Sequence, residues 1–267
     1  MLCRRAWALL LLLGLSMPAA LAQPRVVTLA VDDAHPPYAF AEKNRLDGVY
    51  VRMLEAAMRE LPEWRLTLLA RPWARALQEA RQGVVDGFLP PYREVDRDWV
   101  ALFVGPLHTE EVVLSCGTAV SVGPGSRWPE DFAGLRIGTT RAYLLSHELS
   151  AAIGSAHVRH REYRQGRDAL AALALGEIDC YGNDALDIER SYHAALADRH
   201  WAGRMPQRLE PPFVLVGQKA YVGFSAESLA RRPELAAFAD ALNARLVQMR
   251  ASGEIKRLMD EALGPRK

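Results

Sequence analysis

The first candidates for chemistry in this sequence are charged and aromatic residues close to the ends of predicted strands. Arg97 lies in the run Arg93-Glu94-Val95-Asp96-Arg97-Asp98. A guanidinium is the natural partner of a carboxylate because its fork of donors matches two oxygens, yet a run so rich in charge reads by itself as a solvated surface. Asp184 precedes Ala185-Leu186-Asp187-Ile188, where its side chain can cap a helix. Trp73, at a predicted helix start, reads by itself as a core residue. Arg75 stands four residues before Glu79, the spacing of a helical ion pair. Gly138-Thr139-Thr140-Arg141-Ala142-Tyr143 falls between a predicted strand and a helix, and backbone N–H groups at such a helix start suit an anion.

Other chemistries lack their signatures. There is no G-x-S-x-G elbow, no phosphate-binding P-loop and no H-E-x-x-H pair. His157-x-x-His160 is the only close histidine pair; it has no third ligand in reach along the sequence, so it reads as surface and no metal or cofactor is expected.

These residues need elements to position them. Val26 to Val31 predicts a short strand that feeds into Asp32-Asp33-Ala34-His35-Pro36-Pro37-Tyr38. Two prolines forbid a helix or a central strand there, so the segment is expected to be a loop at a strand end, where open α/β sheets place their ligands. Tyr50, Leu54, Ala57, Met58 and Leu61 repeat at helical spacing and stop near Pro62. One pattern occurs twice: Leu77, Ala80, Gly83, Asp86 and later Leu170, Leu173, Gly176, Asp179. Each copy predicts a helix, a glycine that can end it, and a strand beginning near the aspartate. Two similar lobes, each offering a loop to a shared cleft, would produce it. Leu235, Phe238, Leu242, Leu246 and Met249 form one apolar helix face, followed by Gly253 and a second short helix; such a stripe is core. The alternation as a whole predicts an α/β fold.

The ends and the charge bound the class. Arg4 and Arg5, the apolar run Ala6 to Leu15 and the small-residue site Ala20-Leu21-Ala22 make residues 1–22 a secretory signal peptide, and Cys3 is badly placed for lipidation. Without that leader the chain keeps 31 basic against 32 acidic residues. Near neutrality argues against a nucleic-acid or membrane-surface role. Two cysteines remain, Cys116 and Cys180; an oxidising compartment would let them pair, but spacing alone leaves the bridge open.

Taken in order, these motifs resemble the bacterial extracellular solute-binding proteins of family 3, the receptors of polar amino-acid ABC transporters. The residues that carry the resemblance are His35-Pro36-Pro37-Tyr38, Leu46-Asp47-Gly48, Trp73 to Asp86, and Arg97 with Phe103 and Pro106. Phe132-Ala133-Gly134-Leu135-Arg136-Ile137-Gly138, Gly176 to Asp184 and Arg250-Ala251-Ser252-Gly253-Glu254-Ile255 continue it. Each motif is weak alone; their colinearity over nearly the whole mature chain is more specific.

The resemblance implies a two-lobed type II periplasmic-binding-protein fold, with a two-strand hinge and the ligand between the lobes. The crossings are expected near Glu110 to Leu114 and Val214 to Val222. Residues 23–110 and 221–267 would then form lobe one, and 111–220 lobe two with the hinge crossings. It implies Arg97 for a ligand carboxylate, Asp184 for an ammonium, and Trp73 as an aromatic wall, with His35 where another aromatic is usual. Asp33, Arg141 and Tyr143 fall in the cleft loops. Trp73-x-Arg75 resembles a variant subgroup in which Arg75 could meet an acidic ligand. Tyr38 and Phe40 are expected in the lobe core. The sequence departs from the family at Ala142, where glycine is usual, at Tyr143, where a hydroxyl residue is usual, and at Glu94 and Pro90-Pro91 before Arg97. The implied role is capture of a small polar ligand, an amino acid or a close relative, in the periplasm. A monomer would suit such delivery to an inner-membrane ABC permease. A cyclohexadienyl dehydratase-like lyase on the same fold, or a sensory binding protein without a transporter, are the alternatives; no acid–base pair is marked by spacing for the first.

Overall fold

In the computed structural model, residues 23–43, 45–93 and 97–263 are described. The expected signal peptide and Glu94 lie outside them.

Strand β1 (Arg25–Asp32) buries Val27, Leu29, Ala30 and Val31 completely. A strand apolar on both faces belongs inside a parallel sheet, and β1 pairs in parallel with β5 (Trp64–Arg71) on one side and β6 (Gly87–Leu89) on the other. The loop expected at residues 32–38 is more ordered than the prolines suggest. It holds β2 (Ala34–His35), which with β3 (Ala39–Glu42) and β4 (Arg45–Asp47) makes a small antiparallel sheet. Pro36 and Pro37 sit in the turn between β2 and β3, so neither strand has to supply an N–H at a proline.

Helix α1 (Val49–Met58) carries the predicted stripe and buries Tyr50, Met53, Leu54 and Ala57. Helix α2 (Trp73–Arg81) leads into β6. The main sheet has eight strands in the order β5-β1-β6-β11-β7-β10-β8-β9, where β7 is Val100–Cys116, β8 Arg136–Thr140, β9 Arg159–Tyr163, β10 Cys180–Asp184 and β11 Phe213–Ser225. The long strands β7 and β11 run antiparallel from Val100 opposite Ser225 to Leu114 opposite Phe213, with three register shifts on the way. They are the common spine of two lobes. One lobe gathers around β5, β1 and β6; the other gathers around β10, β8 and β9 with helices α3 (His147–Gly154), α4 (Gly166–Ala174) and α5 (Ala185–Ala197).

Cys116 and Cys180 stand directly opposite in the β7–β10 register and are joined by a disulfide. After β11, helix α6 (Ala226–Arg231) returns the chain to the first lobe. Helix α7 (Leu235–Ala251) then lays its predicted face into that core: Leu235, Phe238, Leu242, Leu246 and Met249 are all fully buried. Side chains of this size contribute about 1.5–3 kcal/mol each on burial. Phe238 packs on Trp64 and Phe224, and α8 (Glu254–Leu263) covers the edge with Ile255 and Met259. Tyr38 is buried as expected, whereas Phe40 is only half-buried.

Candidate functional site: the cleft at the strand ends

The carboxyl ends of the parallel strands in both lobes point into one cleft. Asp32 ends β1, Pro72-Trp73 follow β5, Tyr92 and Arg97 follow β6, Arg141 to Tyr143 follow β8, and Asp184 ends β10. This is where sheet geometry leaves side chains that no strand neighbour covers.

Arg97 is 4% exposed, so the surface reading of its charged run does not hold. Its guanidinium donates from Nη1 to the Tyr92 carbonyl at 2.9 Å and lies 5.5 Å from the centre of the Trp73 ring. The carboxylate of Asp32, 2% exposed, accepts the Ala34 N–H at 3.0 Å and the Tyr143 hydroxyl at 2.5 Å. Burial outweighs His35 and the two donors and pushes Asp32 up to about 7.

Contacts between the lobes converge here. The indole N–H of Trp73 donates to the Ala142 carbonyl at 3.1 Å, and the Tyr143 ring meets the edges of His35 and Trp73. Ala142 has φ 63°, the left-handed backbone that glycine adopts freely. The substitution at this position therefore keeps the turn and its carbonyl direction despite the added Cβ. His35, fully buried, bonds Glu110 through Nε2 at 2.9 Å and Asp187 through Nδ1 at 3.1 Å. Glu110 also accepts the hydroxyls of Tyr50 at 2.6 Å and Tyr92 at 2.5 Å. Burial works against the charge on His35, but the two carboxylates outweigh it and hold the imidazole well above its ordinary range; burial likewise opposes ionisation of Glu110, and His35 with the two tyrosines holds it below its ordinary range.

Two cavities share Asp32, Trp73 and Tyr143 in their walls. The inner one, about 20 Å³ and so with room for a single water, is also lined by His35, Tyr92 and Arg97. The outer one, about 290 Å³, adds Asp33, Arg141 and Arg164. The structure thus brings Arg97, Trp73, His35, Tyr143, Asp33 and Arg141 together. It does not bring the other two candidates to either cavity. Arg75 is exposed and pairs with Glu79 at 2.6 Å, the helical ion pair its spacing allows. Asp184 caps α5, accepting the N–H groups of Leu186 and Asp187 from one oxygen and that of Glu111 from the other. Burial, with Glu110 nearby, pushes Asp184 up to about 7.

Reading the sequence missed Asp32, Glu110, Asp187, Tyr92 and Arg164 as cleft groups. Two signals were present. Asp32 ends an otherwise apolar strand, and Glu110 shares the period-two face of Val112 and Leu114, both fully buried. A carboxylate on such a face requires a buried partner. Among the described residues, no group of three or more His, Cys, Asp or Glu side chains is arranged to hold a metal, and no helix is long and apolar enough to cross a membrane.

Comparison with known proteins adds the lineage. The pattern of the bacterial extracellular solute-binding proteins, family 3, matches residues 27–265. No curated protein matches the sequence. Among solved structures, a histidine kinase sensor domain with similarity to periplasmic binding proteins is 16% identical and has a TM-score of 0.73, over 91% of this chain and 97% of that one. The arginine-, lysine-, histidine-binding protein ArtJ from the thermophilic bacterium Geobacillus stearothermophilus is 16% identical with a TM-score of 0.69, over 91% and 97%. An arginine 3rd transport system periplasmic binding protein from Legionella pneumophila is 15% identical with a TM-score of 0.69, over 89% and 99%. At these identities the likeness concerns the fold, which is the two-lobed type II arrangement with its hinge.

Proposed function

This chain belongs to the bacterial extracellular solute-binding proteins of family 3, and on that premise we propose that it captures an amino acid or a close relative by closing its lobes. In this reading residues 1–22 direct export to the periplasm, and the protein delivers its ligand to an ABC permease in the inner membrane. Lobe one comprises residues 23–110 and 221–267, lobe two the segment between them.

One observation carries the ligand class. The inner cavity is lined by a buried guanidinium, Arg97, and by a buried carboxylate, Asp32, whose bonded donors are an amide and a hydroxyl. A zwitterion brings the complement of both: a carboxylate for Arg97, and an ammonium that would restore the full charge of Asp32. Trp73 and Tyr143 supply aromatic walls. Lobe opening would enlarge the cavity before the ligand enters, and closure would then sequester it. Arg141 and Asp33 at the outer cavity would meet the ligand's distal end. Asp184 acts on this site through α5, whose first turn it holds.

The test is a thermal-shift panel on refolded, stripped protein with amino acids, organic acids, amines and small peptides. Arginine, lysine and histidine come first, because proteins of similar fold are named for them. A ligand at a hundred times its Kd should stabilise the native state by about 2.7 kcal/mol. Arg97→Ala should then weaken binding by on the order of 2–5 kcal/mol, with Arg97→Lys intermediate. Silence across the amino acids together with a shift from another class would overturn the assignment.

A further inference from the structure

We propose that His35 is a proton-gated latch: closing the cleft clamps its imidazolium between Glu110 on β7 and Asp187 on α5, so that lobe closure takes up a proton. The proposal rests on lobe closure in the reading above, and on no particular ligand.

Geometry carries it. Both ring nitrogens of His35 face carboxylate oxygens, at 2.9 Å and 3.1 Å. A neutral imidazole has one N–H and one lone pair, so one of these contacts would set a lone pair against a carboxylate; only the imidazolium donates to both. The carboxylates are otherwise surrounded by donors. Glu110 accepts Tyr50 and Tyr92, and Asp187 accepts Asn183 Nδ2 at 2.6 Å and Ser191 Oγ at 3.0 Å. The two carboxylates sit 75 and 152 residues from His35 in sequence and on opposite sides of the cleft. Glu110 belongs to the strand that both lobes share, whereas Asp187 belongs to the second lobe and would leave with it on opening.

The remaining groups around the ring are accounted for. Asp32 on β1 is near enough to feel its charge. The Tyr38 ring lies 5.0 Å and the Tyr143 ring 5.7 Å away, and Arg97 lines the same inner cavity. Asp184 at the end of β10 feels His35, and His108 on β7, itself lowered by burial, lies against Tyr38. Opening the cleft removes Asp187 and readmits water, returning His35 toward its ordinary range. A group whose value is higher in the closed form takes up its proton on closing, so closure weakens as pH rises through the interval between the two values. The closing constant should fall by up to tenfold per pH unit there. Asp32 and Asp184, both near 7 when closed, shift with the same sign at lower pH; the signature of His35 is the part above pH 7.

The experiment needs no ligand, so its failure leaves the amino-acid reading standing. Val84 and Leu175 are exposed, one on each lobe. Val84→Cys and Leu175→Cys, spin-labelled with the native disulfide intact, report the interlobe distance by pulsed electron resonance from pH 5 to 9. The closed fraction should fall between pH 7 and 9 in the otherwise native protein and lose that dependence in His35→Gln and Asp187→Asn. A closed fraction that is constant with pH, or that changes alike in His35→Gln, overturns the latch. Should the variants fail to fold, ¹⁵N-histidine spectra of the native protein serve: one imidazole should keep both ring protons above pH 8, and titration of every histidine near 6.5 overturns the proposal.

Discussion

The two lobes contain the same small device and use it for opposite ends. In the first lobe α2 runs to Gly83, at φ 64°, and the chain then delivers Asp86 to the start of β6; in the second, α4 runs to Gly176, at φ 67°, and delivers Asp179 to β10. Each aspartate grips the neighbouring parallel strand twice. Asp86 donates its N–H to the Thr28 carbonyl and accepts the Thr28 N–H at 2.7 Å, while Asp179 does the same to Arg136, again at 2.7 Å. Each also holds an arginine, Arg232 in one case and Arg136 in the other. Beyond the strands the likeness ends. The first lobe continues into a loop with Tyr92 and the buried Arg97; the second turns at once into α5, capped by Asp184 and carrying Asp187. The device that sets the strands is shared, and the charge sent into the cleft is cationic from one copy and anionic from the other. Function has diverged where strands end, because residues there are free of ladder hydrogen bonds and of sheet packing.

Several variants would break or sharpen this comparison. The largest effect should come from the one staple that only the second lobe has. Opening the disulfide, which spans 64 residues, should cost about 4 kcal/mol in the chain-entropy account. Denaturation followed by hydrogen exchange should show the loss concentrated in β8, β9 and β10; a loss equally deep in β1 and β5 would mean that the lobes unfold as one unit.

Next is the pH dependence of the cleft. Asp32, held up to about 7 in the folded chain against an ordinary 3.8, contributes stability that is full below pH 4 and is lost as pH rises through 7. Relative to Asp32→Asn, the native protein should therefore lose on the order of 3 kcal/mol between pH 4 and pH 8. Parallel stability curves for the two proteins would show that Asp32 is not desolvated in solution.

The paired aspartates give a direct test of equivalence. Asp86→Ala and Asp179→Ala should each destabilise by about 2 kcal/mol, the range for hydrogen bonds to a charged group. A difference above about 1.5 kcal/mol would show that the copies share geometry without sharing load. The smallest effect is expected at the turn opposite Trp73. Ala142→Gly relieves a left-handed alanine while loosening the unfolded chain, so it should raise stability by no more than about 1 kcal/mol in urea denaturation.

Much of the fold was legible along the chain. The stripe Leu235 to Met249 is a buried helix face, and the α2 and α4 repeats end at their glycines as the spacing predicts. The hairpin at residues 34–42 was not, because its prolines occupy the turn and mask two short strands. Of the candidate site residues, Arg97, Trp73, His35, Tyr143, Asp33 and Arg141 share the cleft walls. Arg75 and Asp184 instead take the local partners that i,i+4 spacing and helix capping had also allowed.

What the sequence determined by itself is what depends on near neighbours. Apolar spacing sets strands and helices, a glycine permits a left-handed stop, and an apolar run with small residues after it marks a leader. The order of motifs further identified the family. Only the tertiary structure could decide which charges are buried and against what. His35 is an imidazolium because residues 110 and 187 arrive beside it, and Asp32 is protonated near neutrality because Tyr143 comes from the other lobe to cover it. Desolvation and charge pairing act through space in a medium of low polarity, so their values belong to the assembled cleft and to no stretch of sequence.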